Sequence, residues 1–118
     1  MRRREYERLE RLHREMWRWC AETGLHKFDW PGWKKIKERV SNNCFACCTR
    51  EETLDCSLCP IKWSKETTGH IRCEFDDSPY WKWLLAQTNR HITTAKKYAA
   101  KIAEMPWRPY EPKKRKLL

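Results

Sequence analysis

The chain has 118 residues, 26 of them Lys or Arg and 16 Asp or Glu, for a formal charge of +10, and no apolar run approaches the ~20 residues needed to span a membrane. That length fits one domain with a modest core, small enough for a bound metal to matter to its stability. The three glycines, Gly24, Gly32 and Gly69, are too scattered to cradle a phosphate, and no H-E-x-x-H pair occurs, which excludes P-loop and zincin-type chemistry.

Met1-Arg2-Arg3-Arg4 runs directly into a charged stretch rather than a secretory segment, so a reducing cytoplasm is the expected setting. From Arg3 to Glu22, Tyr6, Leu9, Leu12 or His13, Met16, Trp17 and Cys20 recur at the three-to-four spacing of one buried helix face. Glu7 with Arg11 and Glu10 with Arg14 add favourable i,i+4 pairs, and Thr23-Gly24 supplies a stop. Cys20, on the buried stripe, is expected to pack as a small apolar residue. Asp29-Trp30-Pro31 then opens a short helix lined by Trp33, Ile36 and Val40 and ended by Ser41-Asn42-Asn43.

Cys44-Phe45-Ala46-Cys47 and Cys56-Ser57-Leu58-Cys59 follow, two C-x2-C steps separated by residues 48–55. Each step lets two sulfurs reach one ion, and four thiolates complete a tetrahedral Zn²⁺ site that keeps no open position for a substrate water. The expected role of Cys44, Cys47, Cys56 and Cys59 is therefore structural zinc binding, with a disulfide or redox couple and incidental buried cysteines as the competing readings. Cys48, His70 or Cys73 could replace one of the four, since Cys48 adjoins Cys47 and His70-Ile71-Arg72-Cys73 has ligand-like spacing. A structural zinc contributes on the order of 10–16 kcal/mol, comparable to the stability of a whole domain.

Ser78-Pro79 starts the next helix, serine capping and proline in the first turn. Trp81, Leu84, Leu85, Thr88, Ile92, Ala95, Ala99 and Ile102 keep the helical rhythm, which predicts one long helix to Met105 with room for a kink near Asn89; Pro106 ends it. Residues 106–118, with three prolines and Lys113-Lys114-Arg115-Lys116, are expected as a flexible basic tail. The predicted architecture is a single mostly α domain over 1–105: long N- and C-terminal helices packed antiparallel, with a central zinc-binding loop of four cysteines.

Charge is unevenly placed. Between Cys44 and Tyr80 four basic residues face seven acidic ones, a net of −3 that leaves +13 for the rest. A cysteine loop that itself read DNA would be basic, so any nucleic-acid surface belongs on the flanks. Arg90, Thr94, Lys97 and Lys101 form a basic stripe on the last helix that could track phosphates, although a solvated helix face has the same pattern. Among the eight tryptophans, Trp19 and Trp83 lie two residues from Trp17 and Trp81, about 200° round their helices, so one of each pair should be exposed as an anchor for a partner or a base. A zinc-supported nuclease using His70, Asp76, Asp77, Asn89 and His91 is the weakest reading, for these residues show no recognisable ligand spacing.

Met16-Trp17-Arg18-Trp19, the Cys44/Cys47 step, Cys56 through Trp63, and Ser78-Pro79-Tyr80-Trp81-Lys82-Trp83 together resemble the motif order of short cysteine-containing proteins encoded by phages and prophages of Gram-positive bacteria, across Leu9 to Met105. The resemblance implies a small phage accessory protein, a class that includes inhibitors of host defence nucleases. The expectation is thus a non-enzymatic, zinc-stabilised binding protein that engages a host nucleic-acid-handling machine, for example as a counter-defence, anti-CRISPR-like inhibitor. The alternative is a regulator that binds DNA or RNA directly.

Overall fold

A computed structural model describes residues 1–37, 40, 43–49, 59–61, 63 and 78–111. Helix α1 spans Arg3–Thr23, and two 3₁₀ turns follow at Lys27–Asp29 and Pro31–Lys35. Then come a single turn, α2 (Phe45–Cys48), and two longer helices, α3 (Pro79–Thr88) and α4 (Ile92–Glu104). Among the described residues there is no strand, only an isolated antiparallel bridge between Ile61 and Trp107.

The apolar stripe of α1 packs as its spacing dictates, with Leu9, His13, Met16, Trp17 and Cys20 all buried. Salt bridges of 3.0 Å join Arg14 to Glu10 and Arg8 to Glu5 along its wetter side. Gly24 ends α1 at φ 74°, and its amide donates to the Cys20 carbonyl at 2.9 Å. Without a β-carbon, Gly24 adopts this left-handed conformation at little cost. Its carbonyl also accepts from Gln87 Nε2 at 3.1 Å, tying the end of α1 to α3.

Helices α1 and α4 run antiparallel. Arg14 near the middle of α1 donates to the Ala103 carbonyl in the last turn of α4 at 2.7 Å, while Gly24 lies against Ile92 at the start of α4. Ala95, Ala99 and Ala103 are all buried, with Ile102 beside them. Their short side chains let the helix axes approach closely. The sequence rhythm holds for these positions and fails for Ile92, which is 58 % exposed at the helix start.

The single long C-terminal helix expected from that rhythm is corrected to two helices packed on each other. Ser78 caps α3 as expected, its hydroxyl accepting from Tyr80 N at 3.1 Å. At the other end the Asn89 side chain donates to the Leu85 carbonyl at 2.9 Å, and Arg90 takes φ 58°. The Arg90 amide bonds to Gln87 O at 3.2 Å and the His91 amide to Ala86 O at 2.8 Å. A turn closed by residue 90 in the left-handed conformation is the usual way to end a helix, here with an arginine where glycine is common. Apolar periodicity continues through the turn, which masks the break. Two 3₁₀ turns likewise replace the expected short helix after Asp29, with Pro31 still at its predicted place in the opening turn.

The boundary at 105/106 moves as well. Trp107 is 7 % exposed and joins the core, edge-on to Tyr6 with ring centres 5.3 Å apart, and the Arg108 amide donates to Pro60 O at 2.8 Å. The Tyr6 hydroxyl donates to the Arg108 carbonyl and the Tyr110 hydroxyl to the Met1 carbonyl. Residues 106–111 are therefore docked; 112–118 lie outside the described residues.

At Gly24 a β-carbon would sit 2.7 Å from Ile92 Cγ2 and 3.2 Å from Lys96 Cε, in a backbone conformation costly for any L side chain. Gly24→Ala should destabilise the protein by about 1–3 kcal/mol, measured as a lower urea midpoint with unchanged slope. An unchanged midpoint would show that the α1 terminus is not packed as described.

Candidate metal centre and cationic face

Three of the four expected zinc ligands lie among the described residues: Cys44, Cys47 and Cys59. Cys44 caps α2, its sulfur accepting from the Cys47 amide at 3.4 Å. Between the two cysteines Phe45 and Ala46 are buried at 0 % exposure. Phe45 lies 5.0 Å from Trp33 in a stacked pair and meets Trp30 edge-on at 5.8 Å. The C-x2-C turn is thus held from beneath by aromatic packing, which leaves its thiols at the surface of the core. Hydrogen bonding from Cys47 holds the Cys44 thiol below its ordinary range despite burial, with the nearby Lys27 charge acting in the same direction and Cys59 against it.

The Cys48 sulfur is turned onto the Cys44 carbonyl at 3.7 Å. Cys56, His70 and Cys73 lie outside the described residues. Among the described residues, no three His, Cys, Asp or Glu side chains gather closely enough to hold an ion. Cys20 stands apart, fully buried on α1 with its thiol pushed up to about 12 by burial, the inert packing residue that its stripe position implies.

The expected surface residues divide. Trp83 is 0 % exposed, its ring 4.7 Å from Trp17 edge-on and 5.6 Å from Tyr80 in a stacked pair, so its expected role as an exposed anchor is corrected. Trp81, expected in the core, is the half-buried member of the pair. The α3–α4 hairpin turns the Trp83 side of α3 inward, an outcome a single straight helix could not indicate. Trp19 is half-buried and packs on the rim of the core. Arg90 leaves the stripe, since it sits in the turn between α3 and α4.

Lys97 and Lys101 remain on the outer side of α4 and gain a partner the sequence did not suggest. Lys82 of α3, Lys97 and Lys101 carry their ammonium groups 5.8, 5.5 and 5.3 Å from the centre of the Tyr98 ring. All three lysines are exposed and Tyr98 is half-buried. An aromatic face among three cations can offset part of their mutual repulsion. In one continuous helix Lys82 and Lys97 would stand roughly 22 Å apart, so only the hairpin creates the cluster. Of the expected nuclease set, Asn89 is committed to closing α3, His91 is exposed beside it, and His70, Asp76 and Asp77 lie outside the described residues.

A cavity of about 270 Å³ lies between α1 and the cysteine turn, with His13, Trp17, Lys27, Cys44, Cys47 and Tyr80 on its wall. Lys27 is 3 % exposed, its ammonium 4.8 Å over the Tyr80 ring. His13 is 2 % exposed, and among the described residues neither ring nitrogen has a partner in hydrogen-bonding geometry. Burial first, then the neighbouring Arg14 charge, push its pKa down to about 3 against a smaller opposing pull from the Ile102 backbone, so the ring is neutral at physiological pH. No part of the sequence pattern distinguishes His13 from an ordinary stripe residue.

Comparison of the chain with protein-family models, with curated proteins and with solved structures finds no match. Among the described residues no helix is long and apolar enough to cross a membrane.

The His13 environment has a signature in acid. Unfolded, the imidazole titrates near 6.5; folded, it resists protonation down to about 3, so its contribution to stability is complete above pH 6.5 and falls as pH descends through that window. His13→Leu should remove this component, and thermal unfolding of the variant and parent should diverge progressively from pH 7 to pH 4, the parent losing more. Parallel curves would show that His13 is not buried in its neutral form.

Proposed function

We propose that this protein is a non-enzymatic, zinc-stapled helical binding module that lays a cationic helix face on nucleic acid. The observation that carries this reading is the convergence of Lys82, Lys97 and Lys101 from two helices around Tyr98. Three positive charges around a half-exposed ring combine phosphate attraction with a surface on which a base could stack. The charge distribution supports it too, with +13 outside the acidic stretch from Cys44 to Tyr80.

The zinc is proposed on Cys44, Cys47, Cys56 and Cys59. Its support is the paired C-x2-C spacing and the fixed Cys44–Cys47 turn. Thiolate ligands at all four positions would supply folding energy rather than catalysis.

A second reading keeps the phage context. A counter-defence protein of anti-CRISPR type would use the same face while contacting a host nucleic-acid-processing protein. The observation favouring it is apolar exposure near one end of the bundle, where Leu25 is 50 % and Ile92 58 % exposed, with Phe28 at 61 % nearby in sequence. Such exposure suits a protein contact better than a phosphate backbone.

Two experiments test the proposal. Native protein should contain one zinc per chain by elemental analysis, Cys44→Ser and Cys59→Ser should each lose it, and chelation should lower the unfolding temperature; metal-free native protein with no response to chelator overturns the zinc assignment. Anisotropy with labelled single-stranded and duplex oligonucleotides should show binding that weakens steeply from about 50 to about 200 mM salt. Replacing Lys82, Lys97 and Lys101 together by Ala should flatten the log–log salt slope by about 2–3. No binding at low salt, or an unchanged slope, removes direct nucleic-acid recognition and leaves the protein-directed reading.

A further inference from the structure

We infer that one nucleic-acid duplex bridges the lysine cluster and a second cationic patch, formed by Arg2, Arg3 and Arg4 where the start of α1 is clasped to residues 106–111. The inference rests on the direct-binding reading and adds to it the kind of nucleic acid and its least length. The clasp is aromatic. Tyr6 lies 5.3 Å from Trp107 and 5.5 Å from Tyr110, the Tyr110 hydroxyl donates to the Met1 carbonyl, and the Arg3 guanidinium stands 5.6 Å over the Tyr110 ring. This packing holds Arg2, Arg3 and Arg4, all exposed, beside the docked segment that carries the exposed Arg108. The carboxylates at this end are Glu5, bonded to Arg8, and the exposed Glu7 and Glu111.

Folding alone does not account for these arginines. Arg2 is the N-cap of α1 and makes no side-chain cap hydrogen bond, and Arg3 and Arg4 follow in a first turn whose acidic residue is Glu5. Cations are disfavoured at that end of a helix, because its unpaired amides already carry positive charge. Three adjoining guanidinium groups add mutual repulsion, which a polyanion relieves.

The distance to the lysine cluster selects the ligand. Arg14 bonds the Ala103 carbonyl, and Arg3 stands three helical turns before it on nearly the same side of α1. With α4 antiparallel to α1, the helical rise puts Arg3 roughly 20 Å along the bundle from Lys101 and roughly 26 Å from Lys97. A duplex places a phosphate about every 3.4 Å along each strand, so about 6–8 base pairs cover that interval. It is stiff over this length, with a persistence length of about 150 base pairs, whereas a single strand would have to be straightened. Once one patch is engaged, the second contact is intramolecular. On a duplex Tyr98 serves by gathering the three ammonium groups.

The test uses the full-length protein with hairpin duplexes of mixed sequence, about 4 and about 12 base pairs long, titrated by anisotropy across salt. The double variant Arg2→Ala, Arg4→Ala spares the Arg3–Tyr110 contact and should keep or raise the unfolding temperature. It should flatten the log–log salt slope by about 2 on the longer duplex and change the shorter one little. A single strand of the longer length should bind several-fold more weakly than the duplex. The cations of 113–116 are common to every protein compared, so their contribution cancels. An unchanged slope on the longer duplex overturns the inference, as does equal binding of the single strand; a lowered unfolding temperature would give the arginines a structural role instead. The Lys82, Lys97 and Lys101 variant separates the two readings: a slope that falls with the lysines but not with the arginines leaves direct binding standing without the bridge, and a slope that falls with the arginines alone removes the lysine cluster and the bridge together.

Discussion

Helix α4, with Ala95, Ala99 and Ala103 buried along it, packs on both α1 and α3, and its close pairing with α1 sets the position of everything else. With the two helices that near, Arg14 can cross to the Ala103 carbonyl, where a cation also complements the negative end of the helix. The opposite end is fixed by Gly24, whose missing β-carbon leaves room for Ile92. Larger residues at the alanine positions would push α4 outward, and the contacts of Trp107 with Tyr6 and His13 would open with it.

Aromatic rings fill the space that alanines cannot. Trp17, Tyr80 and Trp83 form one group between α1 and α3, and Trp30, Trp33 and Phe45 form a second beneath the cysteine turn. This division of labour suits a small domain, because each indole buries a large apolar area for few ordered residues. It has a cost: the Trp83 and Trp107 indole N–H groups are buried without partners among the described residues, like the ring of His13. The second group sets the C-x2-C turn on a rigid base, so Cys44 and Cys47 are positioned by packing.

The helices are legible in the sequence where one periodic face and one capping residue agree. Arg3–Thr23 with Gly24, and the Ser78-Pro79 start, are of this kind. The turn at Asn89-Arg90-His91 is only half legible: Asn89 marks the place of a kink, but the apolar rhythm runs on across it and arginine in a left-handed turn carries no local signature of a full break. Two spatial consequences follow: a straight helix gives Trp83 a surface role, and it keeps Lys82 far from Lys97 and Lys101. Spacing alone identifies the cysteines as a group but cannot reveal His13, which is separated from Cys44 by thirty-one positions and meets it only through the fold. The 106–111 segment misleads because it leads into the basic run at 113–116 and carries prolines, while Trp107, Arg108 and Tyr110 dock it.

That docking places a convenient sensor in the molecule. The second C-x2-C step ends at Cys59, and the very next residue, Pro60, receives the Arg108 amide, with Ile61 bridged to Trp107 immediately after. The backbone one peptide unit beyond Cys59 is therefore held by a hydrogen bond from a residue far along the chain. Deuterium uptake at the Arg108 amide therefore reports on the chain around Cys59 and Pro60 from a segment almost fifty positions downstream.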